Sequence, residues 1–296
     1  KGLEVFNGLE GDHQKNMGSI YLNMGVAYKA MSMFNEALNY YLNAANSLDQ
    51  NSVQAGIIYL NLGNLYVELG KLDLSISYKQ KALNLLKNKL GDLHYYTSGA
   101  YMGIGESYFH KEDYDKAFGY YSKTLRIRKE IYGEVHPEVS SSYASIGYIH
   151  ENLNNYQKAL DFHLKSLESL PNKDINLARL EVSYKNLSKS YFFLKNYEKS
   201  EEFLTRALQV SFKFRDKDDP NIAHIYNKYG ELFEEQQAYE KALQYYQKAV
   251  ALVDKRQEES KEGSFTLLAS FIGIGETLKK SYLASGDVSK LKSSIE

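Results

Sequence analysis

Hydrophobic residues recur along this 296-residue chain at intervals of three and four, with polar residues between them. One stretch shows apolar residues at i, i+3, i+4, i+7 and i+11: Ala55, Ile58, Tyr59, Leu62 and Tyr66. This spacing places apolar side chains on one face of a helix with 3.6 residues per turn. Strand-like alternation is absent from these stretches, so the pattern predicts a chain built from amphipathic helices.

One short segment recurs six times, and each copy contains a small residue that we call the reference residue of its repeat. The reference residues are Gly25, Gly63, Gly105, Gly147, Ser188 and Gly230, separated by 38, 42, 42, 41 and 42 positions. A second apolar block, such as YDKAFGYYSKTL at 114–125, follows each copy. Six copies in nearly constant phase predict an array of repeated helix pairs, each with a first and a second helix.

The spacing predicts a single domain over 1–296. It contains full repeats at 14–50, 53–91, 95–133, 137–171, 175–216 and 219–260 and partial repeats at 1–12 and 263–296. Turns within repeats are predicted at 69–71, 111–113 and 153–155. The reference residue of the last repeat is either Gly275 or Lys279. Because the first residue is Lys1 rather than Met, we expect the chain to be part of a longer protein.

The chain contains 27 tyrosines, many of them at equivalent positions of the repeats. We expect the aromatic residues three positions after the reference residues to fill the gaps between repeats. Each buries about 150–250 Å² of surface in such a position. The reference residues are expected where the two helices of a repeat cross, with Gly63 opposite Ala82.

A small residue, a tyrosine three positions later, an aromatic residue nine later and an alanine twelve later resemble the tetratricopeptide repeat. In the first copy these are Gly25, Tyr28, Phe34 and Ala37. The period near 42 and the linker GEVHPEV at 133–139 resemble the repeats of kinesin light chains and their bacterial relatives. This resemblance implies an all-α fold, a right-handed α-solenoid (superhelix) of stacked antiparallel helix pairs with a concave surface.

The resemblance also implies that positions −6, −3, −2, +1, +4 and +5 from each reference residue face a peptide-binding groove. An asparagine amide both donates and accepts hydrogen bonds, so it can pair with the backbone of an extended peptide. The candidate peptide-binding residues are Asn23, Asn61, Asn64, Tyr148, Lys185, Asn186, Lys189 and Asn227. The alternative is that these are ordinary polar surface residues.

Charged and aromatic residues at the same positions suggest what the groove binds. Lys185 and Lys189 lie four positions apart on one helix face and are candidates to bind a ligand carboxylate, although two solvated lysines are the simpler interpretation. Glu231, Glu234 and Glu235 make the sixth repeat acidic. A groove that runs from basic to acidic favours a segment of opposite polarity. Phe109, Phe192 and Phe193 are candidates for apolar pockets.

Composition excludes several classes of chemistry. The 36 basic and 37 acidic residues nearly balance, so we expect no nucleic-acid partner. The absence of cysteine excludes a disulfide scaffold and thiolate metal sites and fits a cytoplasmic location. The seven histidines lie far apart without an HExxH motif, so we expect no metal site, no cofactor and no catalytic residues. No apolar run reaches roughly 18 residues, so no membrane insertion is expected.

These observations favour a scaffold or adaptor for protein–protein interaction that binds an extended peptide segment of a partner in its concave groove and is not an enzyme. The alternative is a regulatory or sensor module of a larger signalling protein or protease. Its catalytic domain would lie outside this sequence, and an intramolecular segment would occupy the groove. A catalytic domain in the flanking sequence would favour the second interpretation.

Overall fold

The computed structural model describes residues 13–172, 175–217, 219–254 and 261–285. Within these residues it contains thirteen α-helices and no strand. The helices are α1 His13–Ala30, α2 Phe34–Ser47, α3 Val53–Glu68, α4 Leu72–Leu90, α5 Tyr95–His110, α6 Tyr114–Tyr132, α7 Pro137–Asn152, α8 Tyr156–Glu168, α9 Leu177–Phe193, α10 Tyr197–Phe214, α11 Pro220–Glu235, α12 Tyr239–Asp254 and α13 Lys261–Ser285. The predicted partial repeat at 1–12 lies outside the described residues.

The chain divides into two compact units, unit 1 (Lys1–Ile149) and unit 2 (His150–Glu296). In unit 1, α1 packs on α2, α3 on α4 and α5 on α6. In unit 2, α9 packs on α10 and α11 on α12, and α13 packs on both α11 and α12. Apolar side chains between the paired helices are fully buried, as Leu62 and Ile104 are in unit 1 and Ile225 and Leu232 in unit 2. The predicted fold class, an α-solenoid of stacked antiparallel helix pairs, is confirmed.

The first helix of each full repeat ends in the same turn, at a residue of positive φ seven positions after the reference residue. These residues are Ser32, Gly70, Glu112, Asn154, Lys195 and Gln237. In the second repeat the Gly70 N–H donates to the Val67 carbonyl and the Lys71 N–H to the Tyr66 carbonyl. This pair of bonds is the Schellman pattern, which satisfies carbonyls at a helix end. The turns predicted at 69–71, 111–113 and 153–155 are therefore confirmed.

The two linkers that carry the Gly-x-x-His pattern share one geometry. Gly91 and Gly133 adopt φ values of 84° and 77° with extended ψ, a region that favours glycine. His94 and His136 each accept, through Nδ1, the N–H two residues later at 3.1 Å. The histidine thus satisfies an N–H at the start of α5 or α7, in the way that a polar N-cap side chain does.

Aromatic rings clamp the two helices of each repeat together. A ring at +15 on the second helix stacks on the ring at +3 of the first helix, with centroids 5.1–5.7 Å apart. The pairs are Tyr28–Tyr40, Tyr66–Tyr78, Tyr108–Tyr120, His150–Phe162, Tyr191–Phe203 and Phe233–Tyr245. In five repeats a tyrosine at −4 also contacts the +15 ring in a tilted arrangement, with ring centroids 5.9–6.4 Å apart. The aromatic residues at +3 therefore stack within their own repeat. The core clusters that contain Tyr66 and Phe233 also include residues of the preceding repeat, as expected for side chains that fill gaps between repeats.

Reference glycines make room for a buried side chain sixteen positions later. A Cβ on the glycine would lie 2.5–2.6 Å from a tyrosine ring in the pairs Gly25–Tyr41, Gly105–Tyr121 and Gly230–Tyr246. In the second repeat Gly63 instead faces the Lys79 side chain. Gly63 therefore opposes Lys79 rather than the predicted Ala82.

The same +16 side chain fixes the phase of the last repeat. Lys79 also contacts Gly103, which lies two positions before the reference residue of the next repeat. A Cβ on Gly273 would likewise collide with the Tyr246 ring. Gly273 therefore occupies position −2, and of the two predicted alternatives Gly275 is the reference residue.

Candidate functional site

The first helices of unit 1 form a cleft of about 310 Å³ between α3 and α5, which we call the asparagine cleft. Its lining residues are Ile57, Leu60, Asn61, Asn64, Tyr95, Tyr96, Gly99, Met102, Gly103, Glu106 and Arg128. Eight of these eleven lie at −6, −3, −2 or +1 from Gly63 or Gly105. The cleft therefore lies on the helix face that the resemblance to tetratricopeptide repeats assigns to the groove, and its lining includes the predicted residues Asn61 and Asn64.

The two asparagines of this cleft keep hydrogen-bonding capacity for a ligand. Asn61 is half-buried, and its Nδ2 donates to the Ile57 carbonyl of its own helix at 3.2 Å. Among the described residues, no hydrogen bond to protein engages the half-buried Asn64 amide. An amide offers up to four hydrogen-bonding positions, so both side chains can pair with a peptide backbone. Exposed rings of Tyr95 and Tyr96 add apolar surface at the edge.

A fully buried lysine lies beneath the floor of this cleft. Lys79 Nζ donates to the Gly103 carbonyl at 3.0 Å and to Ser107 Oγ at 3.1 Å. Burial lowers the pKa of Lys79, while the Glu106 carboxylate, 3.4 Å from Nζ, opposes that shift. Because Lys79 supplies positive charge from below, it holds a carboxylate at the cleft surface. The lysine occupies position +16, where three other repeats bury a tyrosine, and it lies on the buried face of its helix with Ala82 and Leu86. The alignment of the repeats is the sequence signal that could have revealed its burial.

Two further predicted residues of unit 1 lie apart from this cleft. Asn23 is exposed on α1, and Tyr148 is half-buried on α7 at position +1. No described hydrogen bond engages the Asn23 side chain. Contact of either residue with a peptide stays a prediction.

The predicted lysines of unit 2 are both paired with buried carboxylates. Lys189 Nζ lies 2.6 Å from Glu151 Oε2, and the other oxygen of Glu151 lies 3.0 Å from His163 Nε2. Burial alone would raise the pKa of Glu151, but its hydrogen bonds with His163 and Lys189 outweigh that effect and lower the pKa. Lys185 Nζ lies 2.9 Å from Glu181, which is fully buried and also accepts from Arg215. A ligand carboxylate would therefore compete with a buried glutamate at either lysine.

Asn186 and Asn227, the remaining predicted residues, are buried. Asn186 is only 8% exposed, and Asn227 is 3% exposed. The Asn227 amide donates to the Thr266 carbonyl at 3.1 Å and accepts from Ser270 Oγ at 2.8 Å. Its donor and acceptor groups thus tie α11 to α13, and a peptide would have to compete with these contacts.

The two apolar pocket candidates of unit 2 differ in exposure. Phe192 is half-buried and packs into the core around Leu232, whereas Phe193 is exposed and its ring stacks on that of Tyr156 with centroids 4.4 Å apart.

His224 lies on α11, on the face that is predicted to line the groove. Its ring is exposed, yet the surrounding protein limits its hydration, and this desolvation lowers its pKa to about 4 with help from Lys228. His224 therefore adds no positive charge at neutral pH.

A second cleft, of about 400 Å³, lies in unit 2 between α11 and α13, and we call it the acidic cleft. Its lining residues are Phe192, Glu231, Glu234, Glu235, Tyr246, Ala269, Ile272, Gly273, Glu276 and Lys280. All except Tyr246 occupy the predicted groove positions relative to Ser188, Gly230 or Gly275. Four glutamates and one lysine therefore face this cleft. Three of these glutamates, Glu231, Glu234 and Glu235, are those that make the sixth repeat acidic.

Glu234 is the buried centre of the acidic cleft. Its Oε2 accepts from Tyr246 Oη at 3.2 Å and from Thr277 Oγ1 at 3.0 Å, and its Oε1 lies 2.5 Å from Lys280 Nζ. These contacts connect α11, α12 and α13. Sequence reasoning predicted its acidity but not its burial, because a glutamate among glutamates has the pattern of a solvated face.

The described residues contain no group of three or more histidine, aspartate or glutamate side chains arranged to hold a metal ion. Over the same part of the chain, no helix is both long and apolar enough to cross a membrane. The chemistry that the two clefts offer is hydrogen bonding, apolar contact and charge.

Comparison with known families agrees with this architecture. A tetratricopeptide repeat model matches residues 96–172 and 179–255, and a second tetratricopeptide repeat model matches residues 57–88. Since the first model alone covers more than half of the chain, the chain belongs to the tetratricopeptide repeat family. A search of curated proteins finds no significant match.

Solved structures show the same fold at low sequence identity. BtubC (BKLC) from P. vanneervenii is similar with a TM-score of 0.60 and 18% identity, over 68% of this chain and 82% of that chain. A Podosopora anserina structure of nearly identical TPR-like repeats, named as a kinesin light chain, is similar with a TM-score of 0.59 and 13% identity. The match covers 70% of this chain and 99% of that chain. A STAND signal transduction ATPase with a tetratricopeptide repeat sensor from Pyrococcus horikoshii is similar with a TM-score of 0.66 and 20% identity. The match covers 88% of this chain and 41% of that chain. The predicted resemblance to kinesin light chain-like repeats is thus confirmed at the level of fold.

Proposed function

We propose that this chain is a protein-binding scaffold that holds an extended peptide segment against its first helices. The observation that carries the proposal is the asparagine cleft, where eight of eleven lining residues occupy predicted groove positions. Tetratricopeptide repeats form extended surfaces for partner proteins, and family membership gives the proposal its general class.

The residues of the asparagine cleft suit a peptide backbone better than a small metabolite. Asn61 and Asn64 lie three positions apart on α3, so their amides project from the same helix face. Gly99 and Gly103 on α5 carry no side chain, and open space surrounds the Cβ position of Gly99. A backbone can therefore approach α5 closely while the two amides donate to and accept from it.

The proposed activity is binding rather than catalysis. The clefts bring together amides, glycines, aromatic rings and carboxylates, without a nucleophile beside a general base as covalent catalysis requires. A segment of a partner protein and an intramolecular segment of a longer chain would meet the same cleft.

The test is binding of peptides to wild type and to Asn61→Ala/Asn64→Ala. Random 12-residue peptides displayed on phage are selected on the wild-type chain, and the enriched sequences are synthesised and titrated by fluorescence polarisation. We expect the double variant to lose affinity by roughly 5- to 150-fold, because each amide contact contributes about 0.5–1.5 kcal/mol.

The matched control is Asn39→Ala/Asn88→Ala, which removes two exposed asparagines from the second helices α2 and α4 of the same unit. Its affinity should stay within about twofold of wild type. Selection of no peptide, or equal losses in the two double variants, would contradict the proposal.

A further inference from the structure

The acidic cleft carries negative charge that the protein leaves available. Glu235 and Glu276 are exposed at its edge, and no ion pair with either is found among the described residues. Glu231 is paired with Lys228 at 2.8 Å, and Glu234 with Lys280. Four glutamates against one lysine make the lining negative, although the whole chain carries a net charge of only −1.

Apolar surface lies directly beside these carboxylates. Ile272 on α13 is 52% exposed, and Phe192 lines the cleft from α9. Ala269 and Gly273 on α13 have small side chains or none, which leaves space beside Ile272. Lysine and arginine side chains pack their methylene stems on apolar surface and keep their charged ends among polar groups. The cleft offers both of these environments within one lining.

Lys280 shows how the cleft receives an ammonium group. Its Nζ lies 2.5 Å from Glu234 Oε1. The hydrogen bond with Glu234 raises the pKa of Lys280, and the charges of Glu234, Glu235 and Glu276 add to the shift against a smaller opposing effect of desolvation. The electrostatic field of this cleft therefore stabilises a cation, and Glu235 and Glu276 keep that capacity after Lys280 is paired.

We propose that the acidic cleft docks a basic segment of a partner protein. A lysine or arginine of that segment packs its stem on Ile272 and Phe192 and places its charged end at Glu235 and Glu276. The proposal rests on the proposed function in one respect, since it too requires the first-helix face to bind polypeptide. It adds a second cleft and the charge of the partner.

Charge complementarity distinguishes this occupant from the alternatives. A nucleic acid or an acidic segment would be repelled by Glu235 and Glu276, which have no ion pair among the described residues. A metal ion is disfavoured because the described carboxylates do not converge in a metal-binding arrangement. An apolar segment would cover Glu235 and Glu276 without giving them a partner, which costs free energy.

The experiment uses peptides selected on the wild-type chain from a random 12-residue phage library. Those that compete poorly with a peptide of the asparagine cleft are synthesised together with copies in which every lysine and arginine is replaced by glutamine. We expect the selected peptides to carry a basic residue beside an apolar one, and the glutamine copies to bind at least about tenfold more weakly in 50 mM NaCl. The affinity of the original basic peptides should fall as the salt concentration is raised, because salt screens the exposed charges.

The variant Glu235→Gln/Glu276→Gln should bind the basic peptides about tenfold more weakly than wild type. The control Glu168→Gln/Glu198→Gln makes the same charge change at two exposed glutamates of unit 2 outside the cleft and should change affinity less than twofold. All four positions are exposed, and circular dichroism verifies that each variant stays folded.

Each outcome decides between the two proposals. Basic peptides lost only with the Glu235/Glu276 variant support the acidic cleft. Peptides without basic residues, or basic peptides that bind the Glu235/Glu276 variant and its control equally, overturn this inference. If binding then depends on Asn61 and Asn64 alone, the proposed function stands without it. If no peptide is selected, both proposals fail.

Discussion

The two units differ in the sign of the charge that they bury. Among the described residues, unit 1 buries the cations Lys79 and Arg128, whereas unit 2 buries the carboxylates Glu151, Glu181 and Glu234. Each buried charge has a partner of opposite sign that is more exposed, as Glu106 is beside Lys79 and Lys280 beside Glu234. The same helix-pair scaffold therefore gives clefts of different chemistry.

The difference shows that the positions of the repeat that build the scaffold are separate from those that line the clefts. Rings at −4, +3 and +15 recur in both units and hold the helix pairs together. Positions −2 and +1 vary from asparagine to glycine and glutamate. Position +16 connects the two sets, because it is packed like the core but touches the cleft floor, through Lys79 in unit 1 and Tyr246 in unit 2.

The largest expected effect sharpens this contrast at position +16. Gly230→Ala should lower the free energy of unfolding by about 3 kcal/mol, because the new Cβ would lie 2.5 Å from the rigid Tyr246 ring. Gly63→Ala should cost about 2 kcal/mol, because the new Cβ would lie 2.5 Å from Lys79 Cγ, and this buried unbranched chain is less rigid than a ring but has little room to shift. Urea unfolding measures both.

Gly275→Ala is the control for that pair, because nothing lies within 4 Å of its Cβ position among the described residues. We expect it to be neutral or to stabilise by up to about 1 kcal/mol, since alanine is the better helix former. Equal losses at Gly230, Gly63 and Gly275 would show that the +16 side chain does not set the packing.

The second prediction tests the buried carboxylates of unit 2. Glu151→Gln should destabilise by about 2 kcal/mol at pH 7, because the charged hydrogen bonds with His163 and Lys189 are weakened. The folded state lowers the pKa of Glu151 from its ordinary 4.5, so its contribution is present above that pH and is lost as the pH falls through the folded pKa. Unfolding of wild type and variant from pH 7 to 3 should show the difference shrinking below about pH 4.5. A difference that stays constant with pH would contradict the assignment.

Much of this fold could be predicted from the sequence, because the same helix-pair pattern occurs in six repeats. The helix pairs and the turns follow from the period and from the helical spacing, whereas the groove face is implied by the resemblance to tetratricopeptide repeats and stays a prediction. The site was harder to predict. The burial of Lys79 could have been inferred from position +16, where three other repeats carry a buried tyrosine, whereas Glu234 lies among other glutamates and has the pattern of a solvated face. Asn227 lies at position −3 and so has the position of a groove residue. Its hydrogen bonds join it to Thr266 and Ser270, 39 and 43 positions away, and such contacts cannot be read from the repeat period.

The third prediction exchanges one unit's +16 residue for the other's. Lys79→Tyr should stabilise by about 1 kcal/mol at pH 7, because it removes a buried cation and the flanking Gly63 and Gly103 leave room as glycines do around Tyr246. The folded state lowers the pKa of Lys79, so the penalty on its charged form is full below that pKa and is relieved as the pH rises toward 10.5. The advantage of the variant should therefore shrink in alkaline solution. Thermal unfolding at pH 7 and 9.5 measures it, and a variant less stable than wild type would show that the lysine contacts outweigh its burial.

The smallest expected effect concerns the shared turn at +7. Lys195→Gly should stabilise unit 2 by about 0.5 kcal/mol, because glycine adopts the observed φ of 59° without the steric cost of a side chain, an advantage reduced by its greater freedom when unfolded. Gly70→Ala in unit 1 should cost about 1 kcal/mol for the converse reason. Changes of opposite sign in the free energy of unfolding of the two variants would confirm that one turn geometry serves both units. A loss of stability in Lys195→Gly would indicate a contact of that side chain that outweighs its strain.

Hydrogen exchange with and without a selected peptide tests the central claim, that the first helices form the binding face, most directly. Mass spectrometry should show slower exchange in α3 and α5 for peptides of the asparagine cleft, and in α11 and α13 for basic peptides, with α4 and α10 unchanged. Protection confined to the second helices would contradict the account.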